Sequence, residues 1–211
     1  MLGSGVWSLL FSFRGNGCRS VALYGRINAM ARPLSTPRTV RAYHGCTQTV
    51  ADAILSEGAF RVSENVYDWL GRGVYFWEYA PYRALEWARL VALERGDKPA
   101  VIGVTIRLGR CVNLLDTEHH EALVRTHKRL VLQYGDRLPK NTARGGHFLD
   151  RLVIDEYCDE LAAAGRTIQT VRGSFAEGEP IYPGSKILSK AHTQIAVRDR
   201  SCILRTELII F

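Results

Sequence analysis

Strand-like runs on both sides of a helical middle constrain this chain more than any other feature. Apolar and β-branched runs at 40–44, 73–77 and 100–108 lie before residue 116, and others at 167–171, 194–198 and 203–211 follow residue 165. Between about 116 and 165 the spacing is helical, with Leu123, Val124, His127, Leu130 and Val131 on one stripe and Phe148, Leu149, Leu152, Val153 and Tyr157 on another. Strands gathered at the two ends do not alternate with helices as βαβ units require, so the pattern predicts an α+β domain. At 211 residues and 46% hydrophobic, one domain can bury a sizeable core.

Local punctuation places two more helices. Thr47 or Thr49 can cap the first, in which Val50, Ala53, Ile54 and Phe60 lie at helical spacing and Gly58 suits the C-terminal end. Pro81 opens the second, Ala84, Leu85, Trp87, Ala88, Val91 and Ala92 form its apolar face, and Gly96 closes it. Residues 138–146, with Pro139, Lys140, Arg144, Gly145 and Gly146, read as a flexible, positively charged loop.

The net charge of +7 does not by itself imply a nucleic-acid partner. Arg14, Arg19, Arg26, Arg32, Arg38 and Arg41 precede the first acidic residue, Asp52, leaving 22 basic against 21 acidic residues for the rest. Residues 1–38 lack periodicity and are expected to be a poorly ordered basic leader, with Met30 an alternative start and a mitochondrial transit peptide an alternative reading. The folded body is then 39–211. Five separated cysteines without a Cys-x-x-Cys pair argue against a zinc site and a disulfide framework, and fit a reducing cytoplasm. No apolar run reaches the roughly 18–20 residues a membrane span needs. His119, His120 and His127 share their helix with Arg125, Lys128 and Arg129, so no metal is expected there. Those cations, with Arg137, Lys140 and Arg144, are read as a solvated face that could alternatively meet phosphates.

Three motifs occur in order on strand-like segments: Tyr43-His44-Gly45, Gly71-Arg72-Gly73-Val74-Tyr75-Phe76, and Thr193-Gln194-Ile195-Ala196-Val197-Arg198-Asp199. Each sets a polar side chain beside small residues, which suits a groove for a flat, charged dinucleotide. With Ile54-Leu55-Ser56-Glu57-Gly58 and Arg61 between the first two, the order and local spacing resemble the catalytic domain of the diphtheria-toxin-like ADP-ribosyltransferases, which includes the poly(ADP-ribose) polymerases. The resemblance covers roughly 40–96 and 186–211. It implies split antiparallel sheets around an NAD groove, with the helical stretch of about 116–165 as an insertion between the second and third motifs. It also implies that His44 holds the adenosine ribose, that the Gly45 backbone pairs with the nicotinamide carboxamide, and that Tyr75 walls the nicotinamide ribose. Arg61 and Gly73 complete the nucleotide site. Trp87, with Ala84 three positions earlier, takes the place of the aromatic that stacks on nicotinamide if one residue is inserted after Phe76; without it, Arg83 and Glu86 would fall there.

The third motif departs from the pattern. Polymerising members carry glutamate where Gln194 stands, and the glutamate grips the ribose 2′-hydroxyl while the glycosidic bond breaks. An amide can still bond that hydroxyl, but losing the charge costs about 2–4 kcal/mol of transition-state stabilisation. Chain elongation is therefore not expected, and single transfers are. His192 shares a strand face with Gln194 and is expected to accept a proton from the attacking group, with Glu177 and Glu179 as nearby acids. The resemblance thus implies a mono-ADP-ribosyltransferase of the bacterial toxin or phage-defence type, with NAD as co-substrate, no metal, a protein or nucleic-acid acceptor, and an antitoxin partner. The alternatives are an NAD glycohydrolase, a pseudoenzyme that binds NAD without turnover, and a transferase of the tRNA 2′-phosphotransferase kind.

Overall fold

A computed structural model describes residues 39–58, 60–65, 68–142 and 146–211. The leader expectation for 1–38, Met30 and Arg144 lie outside the described residues. The described chain runs β1 (Thr39–Thr47), α1 (Gln48–Glu57), β2 (Val74–Glu78), α2 (Pro81–Arg95), β3 (Pro99–Arg107), β4 (Cys111–Asn113), α3 (His120–Tyr134), α4 (Phe148–Ala163), β5 (Thr170–Phe175), β6 (His192–Val197) and β7 (Ile203–Leu208). The α+β class read from the sequence holds, and no described helix is long and apolar enough to cross a membrane.

Local chemistry sets the helix ends where the sequence placed them. Thr47 is the cap of α1, its hydroxyl accepting from the Val50 N–H at 3.4 Å, and Gly58 ends the helix at φ 66°. Pro81 stands at the first turn of α2, where its missing N–H costs nothing, and Gly96 closes that helix at φ 64°. Phe60 falls beyond α1, yet it enters the core at 5% exposure.

The strands form one sheet in the order β4-β5-β6-β2-β1-β3-β7. Where split antiparallel sheets were expected, the strands form one continuous mixed sheet, in which β4 pairs with β5 in parallel. The continuity is thin at one place. β1 and β3 pair over nine residues, whereas β1 and β2 share only Ala42↔Glu78 and Tyr43↔Trp77. Two lobes therefore meet at a two-pair seam. The strand β4 was not anticipated because three residues carry too little pattern; β5 and the buried Val112 hold it.

Alternation along the strands sorts the core into layers. One face buries Ala42, Val74, Phe76, Ile102 and Ile195 against Ala51 and Ile54 of α1. The opposite face carries two separate clusters. Val171 and Ala196 pack under Ile154, Tyr157 and Leu161 of α4, while Trp77 and Val101 pack under Ala84 and Ala88 of α2. Between these helical covers runs the middle of the sheet, where β2 pairs with β6.

Candidate active site

The seam arises from one side chain. Tyr79 N–H donates to Arg41 O at 3.1 Å, so the polar backbone groups of Arg41 face β2, and antiparallel alternation turns those of Tyr43 and Gly45 the same way. Tyr43 pairs with Trp77 and the ladder stops. The next pair would be Gly45 with Tyr75, but the His44 ring bonds the Tyr75 carbonyl through Nδ1 at 2.9 Å. The Gly45 N–H and C=O are left facing the seam without a strand partner across it. A polar amide such as a carboxamide has complementary donors and acceptors for that position.

The same bond fixes the histidine's chemistry. A carbonyl only accepts, so Nδ1 carries the proton and the neutral ring offers Nε2 as an acceptor. Phe60 and Phe76 flank the ring at centroid distances of 5.9 and 5.6 Å. Burial among them pulls the imidazole below its ordinary value of 6.5, against the opposing bond to Tyr75. The folded ring thus resists a proton that the unfolded chain accepts. Below about pH 6.5 the unfolded state binds more protons, so stability is expected to fall as pH is lowered from 6.5 toward the folded value. Thermal melts against pH check this, and His44→Phe should flatten the acid limb.

Tyr75 is held by its hydroxyl, which donates to Gly71 O at 2.7 Å and accepts from Leu70 N–H at 2.9 Å. Burial pushes the phenol up, so it stays protonated and staples the 70–73 turn. Gly71 adopts φ 75°, and a Cβ there would stand 2.6 Å from Asp155 Oδ1. Gly73 lies against β6, where a Cβ would stand 3.0 Å from that of Ala196. Asp155 on α4 accepts from Arg72 N–H at 3.0 Å and from Arg198 at 2.6 Å, and so locks the second motif to the third. The helical middle is therefore part of the site's frame as well as a border, and Asp155 is a residue that the motif reading missed.

On β6, Gln194 stands opposite Trp77, next to Tyr75 on the same sheet face. Its amide nitrogen lies 2.9 Å from His192 Nε2, and His192 Nδ1 lies 2.6 Å from Lys190 O. The His192 side chain is 1% exposed with both nitrogens engaged. This corrects its expected role as a proton acceptor for an attacking group: in this arrangement it has no free nitrogen with which to take one. Glu177 is likewise occupied, bonded to Arg83 at 3.3 Å, while Lys190 bonds Glu86 at 2.8 Å and draws its carboxyl below the ordinary range. These two ion pairs tie the segment before β6 to α2.

The remaining expected residues divide. Arg61 is exposed, one residue past the Phe60 that packs on His44. Trp87 is 37% exposed, with its ring 6.2 Å from that of Trp77. Ala84 is wholly buried, and its carbonyl lies where a Gly45 side chain would begin. It sets the approach of α2 to β1 and cannot present a surface to a ligand. Asp199 caps the 200–202 turn through Ser201 N–H and receives a bond from Gln169, which holds its carboxyl below the ordinary range.

The basic residues of α3 are mostly engaged within the protein. Arg129 bonds Glu160 at 2.6 Å and Glu156 at 3.1 Å across the two helices, and Arg125 pairs with Glu121 at 3.8 Å. His119 bonds the Tyr157 hydroxyl at 3.0 Å. Cys46, Cys111, Cys158 and Cys202 are unpaired, and burial pushes the Cys46 thiol up to about 12. An apolar cavity of about 410 Å³ under α3 and α4 includes Leu70 and Phe175, and the Phe175 ring is 5.8 Å from that of His192. The chain matches no protein-family model and no curated protein.

Proposed function

We propose that the protein binds NAD across the β1–β2 seam and cleaves its nicotinamide–ribose bond, passing ADP-ribose to a macromolecular acceptor. The observation that carries this reading is the interrupted ladder. The His44 ring takes the Tyr75 carbonyl, and so frees the Gly45 backbone on one side of the strand and offers a neutral Nε2 on the other. Nicotinamide's carboxamide suits the first and a ribose hydroxyl the second. Tyr75 and Trp87 supply aromatic walls, and Gln194, on the same sheet face as Tyr75, accepts from the ribose 2′-hydroxyl.

In this reading the bond electrons leave with nicotinamide, and positive charge grows on the ribose carbon. Gln194 stabilises it through a partial charge, consistent with single transfers and not with polymer growth. The acceptor is protein or nucleic acid, and the activity is that of a toxin or defence effector held in check by a protein partner. The uncharged amide favours a second reading, an NAD-binding protein without turnover.

The test is incubation of the purified protein with adenylate-labelled NAD and cell extract, following nicotinamide release and macromolecular label separately. Label on protein or nucleic acid is expected, with release falling roughly 100-fold in Gln194→Ala and in His44→Ala. Binding without release would establish the second reading, and release without label would establish hydrolysis.

A further inference from the structure

We infer that His192 is a positioning residue that orients and polarises Gln194, so that an amide performs a task for which a carboxylate is better charged. The inference rests on the proposed function. It begins with a chain of atoms, Lys190 O, His192 Nδ1, His192 Nε2 and Gln194 Nε2, joined at 2.6 and 2.9 Å. With the ring neutral, each link permits one proton placement. The Lys190 carbonyl can only accept, so Nδ1 donates. The neutral ring then has a lone pair on Nε2, and the atom facing it must donate, which is the amide N–H of Gln194.

Two consequences follow for the amide. It cannot turn over, because exchanging its ends would set the carbonyl oxygen against the Nε2 lone pair. Oε1 is therefore committed as the acceptor that a ribose 2′-hydroxyl needs. The second consequence is electronic. Hydrogen bonds in a chain polarise one another, and they do so most where solvent is excluded. Donation from Nδ1 to Lys190 O makes Nε2 a stronger acceptor, its pull on the amide N–H enriches the amide nitrogen, and the density is shared with Oε1. The site thereby regains part of the negative character lost with glutamate.

His192 is well built for this work. It is the first residue of β6, two positions before Gln194, so strand alternation puts both on one face. Phe175 packs against the ring at 5.8 Å, and the ring is sealed from solvent. Arg83 bonds Glu177, whose carboxylate is 4.0 Å from Nδ1, and Lys190 bonds Glu86, so the segment that carries the accepting carbonyl is anchored to α2. A catalytic base would be exposed to its acceptor. This ring is instead enclosed between a fixed carbonyl and the residue it serves.

The test has a spectroscopic and a kinetic arm. In protein labelled with ¹⁵N-histidine, at a pH above the imidazole range, the His192 signal is identified by its absence in His192→Phe. It should report the Nδ1-protonated tautomer, and its Nε2 resonance should shift in Gln194→Leu. The Nε2-protonated tautomer, or an Nε2 signal indifferent to Gln194→Leu, overturns the inference. In nicotinamide release, His192→Phe should lower kcat roughly tenfold, the scale of one oriented hydrogen bond, with KM for NAD within about twofold. A loss carried by KM alone, or no loss, also overturns it. Wild-type protein that releases no nicotinamide overturns the proposed function and, with it, this role. Active wild-type protein with the other tautomer overturns this inference alone.

Discussion

Gly45→Ala is expected to destabilise the protein by about 3 kcal/mol and to lower its melting temperature by on the order of 10 °C. A Cβ at this position would stand 2.1 Å from the Ala84 carbonyl oxygen and 3.1 Å from the Ala88 amide nitrogen. Both are backbone atoms of α2, so no rotamer change relieves the contact, and the helix must lift away from β1. The cost extends to function. Lifting α2 shifts Trp87, and it moves the anchors Arg83 and Glu86 that hold the segment before β6. Under the proposed function, NAD binding should weaken together with stability. Urea unfolding monitored beside NAD titration checks both. Ala84→Gly in the same background should recover nothing, because the clash is with main chain; recovery would mean that side-chain crowding, not helix height, makes glycine necessary. A stability loss below about 1 kcal/mol would show that α2 has room to move.

The elements closest to the motifs were legible because their causes are local. Thr47, Gly58, Pro81 and Gly96 mark their helix ends through side-chain or backbone chemistry that needs no distant partner. The β1, β2 and β3 runs announce themselves by composition. Strand order was not legible: nothing in 74–78 says that β2 sits between β1 and β6, since that follows from pairing across more than 100 residues. The seam was illegible for the same reason. His44-Gly45 points to a site, yet the finding that the histidine itself ends the ladder requires the Tyr75 carbonyl to arrive from another strand.

The site residues show a similar division. The i, i+2 spacing placed His192 and Gln194 on one face, as observed, but spacing is silent on whether a ring nitrogen is free. The Lys190 carbonyl, the Gln194 amide and the enclosing Phe175 decide that, and they leave the ring without a free nitrogen. Asp155 lay unmarked in a helical stretch because its partners, Arg72 and Arg198, belong to two different motifs far from it in sequence. The resemblance sets Ala84 beside Trp87 in the nucleotide site, whereas helix–sheet contact claims it completely.

Glu78→Gln should cost about 3–5 kcal/mol, the largest effect expected of a conservative change in this protein. Arg172 on β5 bonds Glu78 on β2 through both carboxylate oxygens, at 2.5 and 2.6 Å, and the two side chains are 14% and 5% exposed. The glutamate lies opposite Thr193 and the arginine opposite Ile195, so the pair spans β6 on the face away from Gln194. Removing one charge leaves a guanidinium with little water and an amide that answers only half of its fork, which is why the loss exceeds the worth of the pair itself. Replacing both partners should separate these quantities: Glu78→Leu with Arg172→Met removes the stranded charge, and its stability should return to within about 1–2 kcal/mol of the original. Urea midpoints of the single and double variants measure the difference. A single-variant loss under about 1 kcal/mol would place the pair in the same class as solvent-exposed bridges. If the double variant regains stability but not nicotinamide release, the ion pair's task is to fix β6 between its neighbours, and with it the aim of Gln194.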